Sequence, residues 1–158
     1  MQTLPHTRFC FVCGEANPLG LNLRFATDGR IVHTKFRPRP EHVGFRGVVH
    51  GGIIATVLDE IMAWACAARE RRFAFCAELN VRFLNPSSPG AEVLVTAELV
   101  TNRKNRIFEA MAKAQTEDGL TLATATGKYL PLKTTDLTGM AEDLVGDAGW
   151  LLDGEAGR

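Results

Sequence analysis

Residues 51–68 read Gly-Gly-Ile-Ile-Ala-Thr-Val-Leu-Asp-Glu-Ile-Met-Ala-Trp-Ala-Cys-Ala-Ala, a run broken only by Asp59 and Glu60. Ile54, Leu58, Ile61 and Ala65 recur at helical spacing, and Ile53, Val57 and Trp64 fill a neighbouring stripe. Such a segment is one long helix, apolar over most of its circumference, and it has to be buried. The sequence on either side alternates with the period of strands. A lone apolar helix between antiparallel strands buries itself only if the sheet curls around it. The expected fold class is therefore α+β, a curved antiparallel β-sheet wrapped around one long buried helix.

The flanking elements follow from the same reading. Leu21, Leu23 and Phe25 alternate with polar or small residues, Asp28-Gly29 makes a turn, and Ile31, His33 and Lys35 continue the alternation, which predicts a β-hairpin. Pro38 and Pro40 end it, and a Gly-containing loop leads to the helix. Strands are predicted over 73–84, 91–101, 107–116 and 120–130, with breaks at 85–90, 102–106 and 117–119. The chain divides into an irregular N-terminal segment, 1–19, a domain over 20–133, and an acidic tail over 134–158 with a short helix near 141–145.

With 158 residues, one core is expected. Eighteen Lys plus Arg balance eighteen Asp plus Glu, so no global basic field exists to hold a nucleic acid. The tail holds six acids and one base, which leaves the first 133 residues at a net +5, a body suited to a phosphorylated small molecule. The helix carries two carboxylates and the N-terminus lacks an apolar signal core, so a cytoplasmic, non-membrane protein is expected. Four scattered cysteines form no disulfide framework and are expected to be reduced.

The chemistry concentrates at His50-Gly51-Gly52 and at Asp59. Two glycines opening an apolar helix leave its first N–H groups uncovered, and those donors with the positive end of the dipole suit a carbonyl oxygen or oxyanion. Close packing is the alternative use of the glycines. Asp59 shares a helix face with Gly52, Ala55, Thr56, Met62, Ala63 and Cys66, where a carboxylate has a desolvation cost unless it is paired or used. Glu60 lies about 100° further round and is expected to be a rim or interface charge. Asp59 stands eight residues beyond Gly51, roughly 12 Å along the axis at about 1.5 Å per residue, too far to serve one carbonyl with it. If both act on one substrate, Asp59 comes from a second copy whose helix runs antiparallel alongside.

This order of elements, with Val49-His50-Gly51-Gly52 at the helix start and Leu58-Asp59 following, resembles the hotdog-fold acyl-CoA thioesterases, in particular their PaaI-like (phenylacetyl-CoA thioesterase) branch. The resemblance covers about residues 21–130. It implies that the Gly51 N–H polarises the thioester carbonyl, that His50 shapes the helix start, and that Asp59 of the partner subunit is nucleophile or general base. It implies a homodimer or a dimer of dimers, an acyl-CoA or aryl-CoA substrate, and no cofactor. The chain departs from the family at two positions: Gly44 stands where many relatives carry Asn or Gln, and Cys76 where they carry Ser or Thr near the aspartate. Glu60, Asn17 and His42 are the residues able to compensate. The departures also leave open a non-catalytic acyl-CoA binding protein on the same fold.

Arg103, Lys104 and Arg106 form a basic turn, with Arg82 and Arg46 as further candidates; the turn meets coenzyme A phosphates or is a solvated hairpin turn. Cys10-Phe11-Val12-Cys13-Gly14 resembles a segment preceding the domain in some PaaI-like proteins. Zinc would need His6 or His33 to join the two thiols, a redox pair is a second use, and a packed N-terminal lid is the favoured one, with no metal expected. His42 lies in the loop before the helix, where it could line the site.

Overall fold

The computed structural model describes residues 1–133 and 139–152. The helix is α1, Gly51–Glu70, and it opens on His50, whose Nδ1 accepts the Gly52 N–H at 2.9 Å. It stops at Arg71, which adopts the left-handed conformation with φ 53°. Ile54, Val57, Leu58, Ile61, Trp64 and Ala65 are buried as their spacing predicts, whereas Ile53 is partly exposed. Leu58 is fully enclosed, so truncating it to Ala would cost about 2–5 kcal/mol.

Seven strands make one antiparallel sheet. They are β1 (Gln2–Thr3), β3 (Ala26–Thr27), β4 (Ile31–Phe36), β5 (Ala74–Phe83), β6 (Val93–Arg103), β7 (Ile107–Thr116) and β8 (Thr121–Pro131), in the order β1-β3-β4-β6-β7-β8-β5. Strands β4 to β8 all contact α1, and the fold class is the expected hotdog arrangement. Inward positions alternate as the pleat requires: Val93, Val95 and Ala97 on β6, and Phe108, Ala110, Ala112 and Ala114 on β7, are buried. The alanines at the sheet centre let the bulky helix approach closely. The long strand β5 pairs with β8 along one side and forms the edge of the sheet.

The predicted hairpin is shorter than its alternation implied. Only Ala26 and Thr27 pair with β4, opposite His33 and Val32. Residues 21–25 bond instead to the N-terminal segment: Leu21 N–H to Phe11 O, Leu23 N–H to Val12 O, and Leu4 N–H to Phe25 O. Their apolar side chains read as a strand because they are buried on one side, but their hydrogen bonds go to a coil.

The tail also differs from expectation. Its predicted short helix is a 3-10 turn at Ala141–Asp143, followed by strand β9 (Leu144–Val145), which pairs with β2 (His6–Thr7). Gly149–Leu152 forms a helical turn, α2, that buries Leu151 in the core. Asp136, Asp153 and Glu155 lie outside the described residues.

Candidate active site

At the start of α1, a cavity of about 380 Å³ is lined by Gly44, Phe45, His50, Gly51, Ile54, Phe83, Leu122 and neighbours. The two glycines at the helix start differ in use. Gly52 donates its N–H to His50 and is therefore occupied, which corrects the expectation that both amides are open. The Gly51 N–H has no hydrogen-bond partner among the described residues, and the Phe83 ring sits against its Cα, 3.2 Å from where a Cβ would stand. A helix-start N–H beside an apolar cavity is placed to receive a carbonyl oxygen.

The loop before the helix explains Gly44. A Cβ there would lie 3.0 Å from His50 Cδ2, so the glycine makes room for the capping imidazole. His42 does not line the cavity. Its ring is buried, stacked on Phe36 at 5.8 Å, and its Nδ1 accepts the Arg39 N–H, while its carbonyl receives the His50 N–H. It holds the loop and does not replace the missing amide side chain. Asn17 is likewise engaged elsewhere: it accepts from Leu19 N–H and donates to Phe9 O, closing a turn in the N-terminal segment.

Asp59 faces the sheet. The Tyr129 hydroxyl on β8 donates to its Oδ1 at 2.8 Å and also reaches its carbonyl oxygen at 3.0 Å. Cys76 on β5 is the other neighbour: burial, then Asp59, push its thiol up to about 11, so it stays protonated beside the carboxylate. Burial and Asp59 also push the Tyr129 phenol upward, which keeps it a donor. Gly127 makes this possible, because a Cβ there would stand 2.7 Å from the Tyr129 ring. Tyr129 is a residue the sequence reading missed; its signal was that it is the chain's single tyrosine, on a strand of small inward residues.

Glu60 is not a rim charge. It lies beneath the N-terminal segment, where the thiols of Cys10 and Cys13 approach its Oε1 at 3.5 and 3.2 Å and the Trp64 indole donates at 3.1 Å. Burial, then the charge of Cys10, push its carboxyl up to about 7. The Cys13 thiol, together with backbone N–H groups, holds Cys10 below the ordinary thiol range; the same hydrogen bond and burial push Cys13 upward. Neither His6 nor His33 joins this group: His6 pairs with Glu15 at 2.5 Å and His33 faces Asp28 at 3.7 Å.

The basic candidates divide between two places. Arg103, Lys104 and Arg106 surround an open cavity at the β6–β7 turn, with Arg103 paired to Glu109 at 2.8 Å. Arg82 lines a separate cavity of about 610 Å³ on the outer face of the sheet, away from that turn. Sequence reasoning also missed Phe45 and Phe83 as cavity residues and Ser87, whose buried hydroxyl has no hydrogen-bond partner among the described residues. Met62 and Trp64, by contrast, are core.

Within one chain, then, Asp59 is absent from the lining of the helix-start cavity. Comparison with known proteins agrees with this architecture. The thioesterase superfamily matches residues 46–123. The human protein acyl-coenzyme A thioesterase 13 is 25% identical over 92 residues, 58% of this chain and 65% of that protein, so the chain spans just under two thirds of that relative's length. Two solved structures share the fold. The thioesterase superfamily protein RHA08564 has TM-score 0.72 and 24% identity, covering 78% of this chain and 63% of that one. The E. coli PaaI protein from the phenylacetic acid degradation operon has TM-score 0.67 and 18% identity, covering 75% and 86%. The hotdog sheet and the His50-capped helix thus agree with a match to the thioesterase superfamily over residues 46–123, 78 of the chain's 158 residues.

Proposed function

We propose that this protein is an acyl-CoA or aryl-CoA thioesterase, hydrolysing a coenzyme A thioester to the free acid and CoA at a site shared by two copies of the chain. The observation that carries the reading is the unbonded Gly51 N–H at the head of α1, facing an apolar cavity, with the Asp59 carboxylate held further down the same helix by Tyr129. In the reaction, the Gly51 N–H receives the thioester carbonyl oxygen. Asp59 of the partner subunit takes a proton from water, whose oxygen attacks the carbonyl carbon. The C–S bond breaks and the CoA thiolate leaves with the proton that Asp59 returns. Direct attack by the carboxylate would give an anhydride that water then opens. Single turnover in ¹⁸O-water that leaves label in Asp59 identifies direct attack, with water opening the anhydride at the Asp59 carbonyl.

The free edge of β5 supports a two-chain site. Ten residues of strand end the sheet, with Phe75 and Phe83 about half exposed. A long apolar edge of this kind calls for a covering partner, and a second copy of β5 supplies one. The basic turn at Arg103, Lys104 and Arg106 would meet the CoA phosphates.

Turnover on a panel of acyl-CoA and aryl-CoA thioesters, read as loss of thioester absorbance, tests the reading together with sedimentation. Hydrolysis that collapses in folded Asp59→Asn is the expected result. Tight binding of a thioester analogue without turnover would replace it with an acyl-CoA binding protein, the role that Gly44 and Cys76 favour. A stable monomer that hydrolyses would overturn the shared site.

A further inference from the structure

The N-terminal Cys-x-x-Cys segment meets α1 at a place the reaction above does not use. Cys10 Sγ, Cys13 Sγ and a Glu60 carboxylate oxygen all lie within 4.8 Å of one another. Three features show a built arrangement. The Val12 N–H donates to Cys10 Sγ at 3.2 Å and the Gly14 N–H to Cys10 O at 2.9 Å, so the turn is closed around the first sulfur. Gly14 is packed so tightly that a Cβ would fall 2.5 Å from the backbone of Arg8 and Cys10. Both sulfurs are thereby aimed at one carboxylate oxygen, Glu60 Oε1, to which the Trp64 indole also donates at 3.1 Å.

The distances fit an ion. Tetrahedral zinc with sulfur at about 2.3 Å and carboxylate oxygen at about 2.0 Å sets those ligands about 3.5 Å apart. The observed separations from Glu60 Oε1 are 3.5 Å to Cys10 and 3.2 Å to Cys13. The donor chemistry agrees, since two thiolates with one carboxylate suit zinc rather than magnesium or calcium. Charge gives a further reason. Three groups able to carry negative charge converge where Cys13 is wholly enclosed, and Glu60 is bonded only by thiols and an indole among the contacts described. A divalent cation resolves that crowding.

We infer that Cys10, Cys13 and Glu60 form a zinc site, with water as the fourth ligand, that clips the N-terminal segment to the middle of α1. Glu60 lies about 100° around the helix from Asp59, so the site is distinct from the proposed active site and does not depend on the thioesterase reading. Its chemistry is structural: the metal joins residue 60 of the core helix to a segment that also carries the β2–β9 pairing.

The test uses the full chain, expressed with zinc in the medium and purified without chelator under reducing conditions. About one zinc per chain by elemental analysis is expected. Cobalt(II) added to the metal-free chain should give thiolate-to-metal absorption and the intense visible bands of a tetrahedral site, both erased by zinc. Cys10→Ser, Cys13→Ser and Glu60→Gln should each weaken binding tenfold or more. Glu60→Gln retains both sulfurs and an acceptor for Trp64, and circular dichroism checks that it folds. Chelation should lower the Tm of the wild type and leave that of Glu60→Gln unchanged. The site is overturned if the folded, reduced wild type binds no zinc or cobalt, or if binding survives in all three variants. A Cys10–Cys13 disulfide in protein that takes up no metal after reduction would equally overturn it and assign the pair to redox chemistry.

Discussion

Asp59 and Glu60 are adjacent carboxylates on one helix, yet they inhabit different chemistry. Asp59 turns toward the sheet, where a phenol and a protonated thiol serve as its neighbours. Glu60 turns toward the N-terminal segment, where two sulfurs converge on it and burial raises its carboxyl to about 7. A rotation of about 100° per residue is enough to send one group toward the sheet, where the proposed reaction uses it, and the other toward the N-terminal segment, where the proposed zinc site uses it. The difference lies in what each face meets: a donor-lined sheet in one case, a sulfur-bearing loop in the other.

The sharpest way to break this comparison is to neutralise one carboxylate at a time. Asp59→Asn should reduce kcat by about 10²–10⁴-fold while leaving the metal content of the chain intact, measured by thioester turnover and elemental analysis on the same preparation. Equal loss of zinc in that variant would mean that the two carboxylates are one site. Next in size is Tyr129→Phe, which removes a hydrogen bond to a charged group worth about 1.5–3 kcal/mol. Turnover should fall roughly tenfold or more; a fall in Tm with unchanged turnover would leave Tyr129 a packing residue only. Gly127→Ala drives a methyl into that ring and should destabilise by about 1–3 kcal/mol in urea unfolding.

Thiol reactivity sharpens the contrast with a smaller signal. In metal-free protein, iodoacetamide should label Cys10 at pH 7, because its thiol is held below the ordinary range, whereas Cys76 should resist until the pH approaches about 11. The sign for stability follows. The folded Cys76 thiol titrates above its ordinary value of 9.0, so the folded state loses stability as pH rises from 9 toward 11. Asp59→Asn should lower the pH at which Cys76 reacts, as followed by mass spectrometry; no change would show that burial alone raises it.

Much of the fold was legible because periodicity reports burial. The helix ended within two residues of its predicted end, at Glu70, and the four long strands fell close to their predicted ranges. Burial does not report hydrogen-bond partners. Residues 21–25 therefore looked like a strand although they bond to the N-terminal coil, and Gly52 looked open although a histidine ring caps it. The placement of His50, Gly51 and Asp59 along the helix was legible because local geometry suffices for it. It was illegible where residues far apart in sequence meet, as with Tyr129, 70 positions from Asp59, and Glu60, 47 positions from Cys13.

What the sequence by itself determined is the pairing of one buried helix with a meander of strands, and the position of the helix start and of a carboxylate along that helix, since spacing of 3.6 and 2.0 residues sets which side chains share a face. Only the tertiary structure decided what each face meets: Tyr129 and Cys76 against Asp59, Phe83 against Gly51, and Cys10 with Cys13 against Glu60. The reason is physical. A helix fixes directions around its own axis, whereas the groups that solvate a buried charge arrive from other elements, and their arrival depends on the packing of the whole chain.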